Sequence, residues 1–244
     1  MAINNMIQFF RQLSGKLGSN IYAGVNAQSN PQHISFIRQL QKEMQKDDSL
    51  TTPFRDLKVV VFDIETTGFY PEKGDRVISI GAVKMTGPHI HDTETFYSLV
   101  KADTLLSETI TALTNISNED LQNAPEPSEV LMKFFKFIHH HVLVAHHAKH
   151  EQAFMTKMTR ELVKRKFDHR IIDTSFLTRI TLPSKKPLQL EEVCKECNIE
   201  IKRRHHALGD ALLTAQIWSH YIQLVQSMGM ENLRELYQHL TTLE

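Results

Sequence analysis

The chain has 244 residues, in which 28 Lys and Arg balance 28 Asp and Glu, and 14 His add charge only on acidification. That balance excludes a protein that coats nucleic acid by bulk positive charge and leaves only local basic patches for phosphate. With two cysteines, no apolar run near the roughly 18 to 20 residues of a membrane span and no signal-like N-terminus, the expectation is a soluble cytoplasmic protein with no membrane partner. The length admits one domain of about 170 to 190 residues plus an appendage.

Residues 1–56 read as an N-terminal helical extension. Ile3, Met6, Ile7, Phe10, Leu13 and Leu17 recur at helical spacing, Ser19 to Pro31 reads as a loop, and His33, Ile37, Leu40 and Met44 mark a second amphipathic helix. These helices either pack on the flank of the following domain or, through residues 1–50, dock a protein partner.

Leu57 to Phe69 reads LKVVVFDIETTGF. Val59 to Phe62 is an apolar run without alternation, the pattern of a strand buried on both faces. Asp63 and Glu65 are two apart, so on a strand both carboxylates leave the same face. Crowded, buried carboxylates bind protons unless a cation neutralises them, and oxygen-only ligands suit Mg²⁺ or Mn²⁺. The other reading is that the two acids end the strand and enter a Thr66-Thr67-Gly68 turn.

Arg76 to Met85 and His89 to Val100 read as two further strands joined by the short Thr86-Gly87-Pro88 turn. Ser117 with Asp120 three residues later is a capped helix start. Ala124 to Pro127 breaks that helix, and Val130, Leu131, Phe134, Phe135 and Ile138 line the next one. Val142 to Ala145 is a short buried strand, followed by a helix over Glu151 to Lys166 with Phe154, Met158 and Leu162 inward. Ile171 to Asp173 is another strand, with Asp173 or Thr174 capping the next helix and Asp173 read as structural. Lys202-Arg203-Arg204 is a basic cluster able to hold phosphates. Cys194 and Cys197 form a lone CxxC on a helix, read as half-buried packing. Asp210 opens a long apolar helix, and Glu231 to Leu240 is a last amphipathic one.

Three blocks, FDIETTGF from Phe62, AHHAKHEQAF from Ala145 and RRHHALGDALLTAQIW from Arg203, occur in this order. Together they resemble the DEDDh branch of the 3′-to-5′ exonuclease superfamily (DnaQ-like), which includes the proofreading subunit of bacterial DNA polymerase III. The resemblance covers about Leu57 to Val225. It departs at His147, where the family has Asn, and at Glu151, where it has Asp. It implies an α/β, RNase H-like fold, a mixed central sheet flanked by helices, with residues 57–227 as the exonuclease domain and 228–244 as a C-terminal helix packed on it.

The resemblance also implies a site. Two Mg²⁺ or Mn²⁺ ions would be held by Asp63, which bridges them, with Glu65, Asp210 and Glu151. His205 would take the proton from the attacking water, with His206 as the alternative base. Thr66, Thr67, Phe69 and His146 would contact the terminal nucleotide. The implied activity is metal-dependent hydrolysis at the 3′ end of single-stranded DNA or RNA, releasing nucleoside monophosphates in proofreading or repair. The alternative is a catalytically weakened nucleic-acid-binding or polymerase-associated module of the same fold.

Overall fold

The central strand β1 spans Lys58–Thr66, and alternate residues along it enter two different cores. Val60, Phe62 and Ile64 face one side, and Val59 and Val61 face the other. The coordinates are those of a computed structural model that describes residues 49–181 and 188–242. β1 pairs antiparallel with β2 (Val77–Thr86), which pairs antiparallel with β3 (His89–Leu99). On its other side β1 runs parallel to β4 (Val142–Ala145), and β4 parallel to β5 (Ile171–Asp173). The result is a mixed five-stranded sheet of order β3-β2-β1-β4-β5, the sheet of the RNase H-like fold.

Seven α-helices among the described residues cover the sheet. They are α1 (Glu108–Thr114), α2 (Asn118–Gln122), α3 (Pro127–Ile138), α4 (Lys149–Val163), α5 (Leu190–Glu196), α6 (Ala207–Ser227) and α7 (Leu233–Thr242). α3 and α4 bury Val130, Phe134, Phe154 and Met155 against Val60 and Phe62. α6 buries Leu213, Ile217 and Trp218 against Val59, Val61 and Val83 on the opposite face. Each fully buried side chain of this kind contributes roughly 1.5 to 3 kcal/mol, so the apolar half of β1 anchors the half that carries the acids. Asp63 and Glu65 continue the row of Val59 and Val61 and therefore face α6.

Several element boundaries differ from the sequence reading. β1 runs on through both acids to Thr66, because its pairing with β2 continues past Asp63↔Gly81 and Glu65↔Ser79 before a register shift. α4 starts at Lys149 rather than Glu151 and stops at Val163, where Lys164 turns left-handed with φ 55°. α1 was not anticipated, although Ser107 caps it by accepting a hydrogen bond from Ile110 N. The expected start at Ser117 is present as a capping box with Asp120.

Leu233, Leu236 and Leu240 of α7 are buried in the α6-side core together with Phe54. Phe54 N donates to Glu231 O (2.7 Å) and Arg234 N to Leu50 O (3.0 Å), so residues 50–54 lie along the start of α7. The two amphipathic helices expected within residues 1–48 lie outside the described residues. Among the described residues no helix is long and apolar enough to cross a membrane.

Candidate active site

Three carboxylates converge from two elements. β1 supplies Asp63 and Glu65, and the first turn of α6 supplies Asp210; one ligand oxygen from each lies within 4.8 Å of the others. What lets α6 come so near is Gly81, the β2 partner of Asp63. A Cβ at Gly81 would lie 2.0 Å from Leu208 N and 2.2 Å from the Ala207 carbonyl carbon, so the helix backbone rests on the bare glycine. Sequence reasoning missed Gly81, whose role exists only through strand register.

Burial in this cluster works against negative charge. Asp63 is held well above the ordinary carboxylate range by burial first, then by Glu151, Asp210 and Glu65, with Arg204 opposing. Glu65 is pushed up to about 7 by burial and by Asp210, again against Arg204. Asp210 is raised by burial against the counter-pull of Arg204. Glu151, in the first turn of α4, is pushed up to about 8 by burial, opposed by a backbone hydrogen bond and reinforced by Asp173 and Glu65. Glu151 is nearly fully buried yet is not one of the three converging carboxylates.

Two oxygens here are buried with no hydrogen-bond partner among the described residues, Asp210 Oδ1 and Glu151 Oε2. Orphaned buried carboxylate oxygens are costly. Together with a donor set made only of carboxylates, they fit hard divalent cations. The residues therefore suit the divalent metal that the resemblance implies.

Arg204 departs from the expectation of a phosphate-facing cluster. Its guanidinium is bonded to Asp210 through Nη1, while Nε and Nη2 donate to Glu191 Oε1 at 2.8 and 2.6 Å. The next residue, His205, has a left-handed backbone with φ 59°, and its N–H donates to Asp210 Oδ2 (3.2 Å). His206 caps α6, its Nδ1 accepting from Gly209 N (3.3 Å), and its ring lies flat on Tyr97. His206, the alternative base, is thus engaged as a cap.

The nucleotide-contact residues divide. Phe69 and Tyr70 project into solvent, 79% and 58% exposed. Their loop is organised by Asp75, which accepts from Thr67 Oγ1 (3.1 Å) and Tyr70 N (2.8 Å). A Cβ at Gly68 would sit 2.5 Å from the Asp75 carboxylate, so a larger residue there would push that side chain aside. Thr67 is also tied to Arg76 through its N–H and its hydroxyl, and Thr66 Oγ1 donates to Gly68 O (2.7 Å). The His150 ring, from the histidine-rich second block, meets Phe69 edge-on with centroids 6.1 Å apart.

His146 is placed differently from the expectation of nucleotide contact. It is buried, with Nδ1 on Thr174 Oγ1 (2.9 Å) and Nε2 on Leu188 O (3.1 Å), and burial pushes its pKa down to about 4. Both ring nitrogens are engaged, which leaves none for a nucleotide. His147 is left-handed, φ 56°, a conformation that Asn adopts readily and His tolerates. Its N–H donates to Asp173 Oδ1 (3.0 Å), which also accepts from Ser175 N (2.9 Å). Cys194 and Cys197 lie on α5 and at its end, and burial pushes both thiols up to about 11.

A carboxylate cluster at the end of the central strand of an RNase H-like sheet, with a histidine beside it, defines a class of metal-dependent nucleases. Residues 60–218 match the Exonuclease family (RNase_T). The chain belongs to this family, in its DEDDh, DnaQ-like branch, and is an exonuclease. It is 31% identical over 198 residues to the PolC-type DNA polymerase III of Thermotoga maritima, 81% of this chain but 14% of that protein. It is 36% identical over 159 residues to the DNA polymerase III subunit epsilon of Aquifex aeolicus, 65% of this chain and 77% of that one. The chain thus spans about one-ninth to one-seventh of the length of the PolC-type relatives it matches. Among solved structures, the nuclease domain of 3′hExo, a DEDDh family member bound to rAMP, superposes with a TM-score of 0.60 at 18% identity, covering 70% of this chain and 92% of that one. E. coli Exonuclease I in complex with a dT13 oligonucleotide gives 0.57 at 15% identity, over 71% and 44%. At these identities the likeness is one of fold.

Proposed function

We propose that this exonuclease hydrolyses the terminal phosphodiester at the 3′ end of single-stranded DNA, with RNA as a related substrate, and releases nucleoside monophosphates in proofreading or repair. The observation that carries the reading is the convergence of Asp63, Glu65 and Asp210 within 4.8 Å, with a buried Asp210 oxygen that has no partner among the described residues. Asp63, Glu65 and Asp210 would hold Mg²⁺ or Mn²⁺, and the buried Glu151 would serve a second ion. Such ions neutralise charge on the phosphoryl oxygens and lower the pKa of water.

The chain's own residues do the rest. An imidazole nitrogen of His205 accepts the proton of the attacking water, since imidazole is the side chain suited to proton exchange near neutral pH. Phe69 and Tyr70 offer ring faces to unpaired bases, a contact that tolerates any sequence and favours single strands or frayed ends. The burial of the carboxylates concentrates their effect where the phosphate must enter. A role beside a replicative polymerase follows from the relatives named PolC-type DNA polymerase III and subunit epsilon.

A binding module with weakened catalysis is the second reading. It draws on one observation, that Glu151 is not among the three converging carboxylates. Binding of an oligo-dT strand without its cleavage, with Mn²⁺ supplied, would favour that reading over the enzyme. Stepwise shortening of a 5′-labelled strand, lost in Asp63→Ala, supports the enzyme.

A further inference from the structure

We propose that Tyr97 is a positioning residue for hydrolysis, its ring clamping His206 and so fixing the neighbouring His205 beside Asp210. The inference rests on the reading of His205 as the proton acceptor.

Strand register places Tyr97 in the site. Asp63 pairs with Gly81, and Gly81 pairs with Tyr97, so the three lie in one row across β1, β2 and β3. Directly paired residues share a face of the sheet. Gly81 is the gap in that row, and the start of α6 lies in the gap, its Leu208 N and Ala207 backbone against the glycine. Asp63 therefore stands on one flank of the helix start and Tyr97 on the other.

Tyr97 does little for the core. It is 41% exposed on an edge strand, where the adjacent Phe96 is the residue that packs on the core. What its ring meets is His206, with centroids 4.5 Å apart and planes 18° from parallel. Burial and the charge of Glu65 both push the Tyr97 phenol up, which places it in the field of the cluster.

The loop that the stack holds needs holding. Arg203 and His205 both have left-handed backbones, with φ 53° and 59°, a conformation sparsely populated by residues that carry a Cβ. Arg204 ties the loop to α5 through Glu191, and His206 caps α6. The Tyr97 ring is the contact that ties His206 to the sheet carrying Asp63. Without it, α6 stays seated on Gly81, but the His206 ring and the loop ahead of it, with His205, lose their support on β3. Loss of one aromatic contact should then lower the fraction of correctly placed His205 by about 3- to 10-fold.

The test is single-turnover and steady-state hydrolysis of a 5′-labelled single-stranded DNA with Mn²⁺ by the full chain. The variants are Tyr97→Ala, Tyr97→Phe, His205→Ala and the Tyr97→Ala/His205→Ala double, with folding checked by circular dichroism and Mn²⁺ affinity by calorimetric titration. The expected result is a kcat about 3- to 10-fold lower in Tyr97→Ala, with KM and Mn²⁺ affinity within about twofold of wild type. Tyr97→Phe, which keeps the stack, should restore the rate, and Tyr97→Ala should cost nothing further in the His205→Ala background. The inference is overturned if Tyr97→Phe is as slow as Tyr97→Ala, if the two losses multiply in the double variant, or if Tyr97→Ala keeps the wild-type kcat. A His205→Ala variant with the wild-type rate would overturn the assignment of His205, and the inference with it.

Discussion

Gly81→Ala is the perturbation with the most definite consequence. The added methyl would lie 2.0 Å from Leu208 N and 2.4 Å from Leu208 Cα, both backbone atoms, whereas ordinary contact begins at 3.4 Å. No rotamer change relieves a backbone clash, so β2 and the start of α6 must separate by about 1.4 Å. Asp210 sits in that first turn and Asp63 lies opposite Gly81, so the separation opens the carboxylate cluster directly. A misplacement of about 1 Å in a catalytic group costs on the order of 100-fold in rate, and overpacking of this kind costs about 1 to 3 kcal/mol of stability. The assays are kcat/KM on single-stranded DNA, Mn²⁺ affinity by calorimetry and thermal melting. The expected outcome is a folded protein with a lower melting temperature, about 100-fold lower kcat/KM and weaker Mn²⁺ binding. A Gly81→Ala enzyme within a few-fold of wild type would refute the claim that the approach of α6 sets the site.

The metal-free protein should lose stability as pH rises. Glu65 has an ordinary pKa of 4.5 but about 7 in the fold, so the fold binds its proton more tightly than the unfolded chain does. Its contribution is fully present below pH 4.5 and lost as pH passes through about 7, on the order of 3 kcal/mol at about 1.4 kcal/mol per tenfold in proton affinity. Glu151, at about 8, adds to the same trend. Melting temperature in chelator should therefore fall between pH 5 and pH 8, and Mn²⁺ should remove most of the fall; a flat profile would contradict the burial of these acids. Glu151→Asp should maintain or raise the rate, and a large loss would show that the longer carboxylate is specifically required. Asp75→Ala should raise KM several-fold with little change in kcat, because Asp75 shapes the loop that presents Phe69 and Tyr70; an unchanged KM would argue against stacking on that loop.

Much of the fold was legible because it follows from local pattern. The apolar run of β1, the two acids spaced for one face and the apolar stripe of α6 behind Asp210 are periodicities that burial imposes directly on sequence. The capping box at Ser117 and Asp120 is likewise local chemistry, and Ser107 ahead of α1 carried a similar signal that the short apolar pattern of Ile110 and Leu113 left weak. What could not be read depends on contacts between distant segments. Gly81 matters only because β2 is in register with β1 and α6 crosses over it. Arg204 resembled a phosphate ligand while its neighbours were unknown, and the structure turns it toward Glu191 and Asp210. His146 sat in a motif rich in histidine, yet Thr174 and Leu188, 28 and 42 residues away, take both its nitrogens.

The central claim is that Asp63, Glu65 and Asp210 form a metal-dependent site that removes nucleotides from 3′ ends. It is tested most directly by incubating 5′-labelled and 3′-labelled single-stranded DNA and RNA with Mg²⁺, Mn²⁺ or chelator, beside an Asp63→Ala control shown to be folded. The account predicts a ladder of shortened 5′-labelled products and early release of labelled mononucleotide from the 3′-labelled strand, only with metal and not with Asp63→Ala. Cleavage that survives in chelator or in Asp63→Ala, or that begins from the 5′ end, would contradict it.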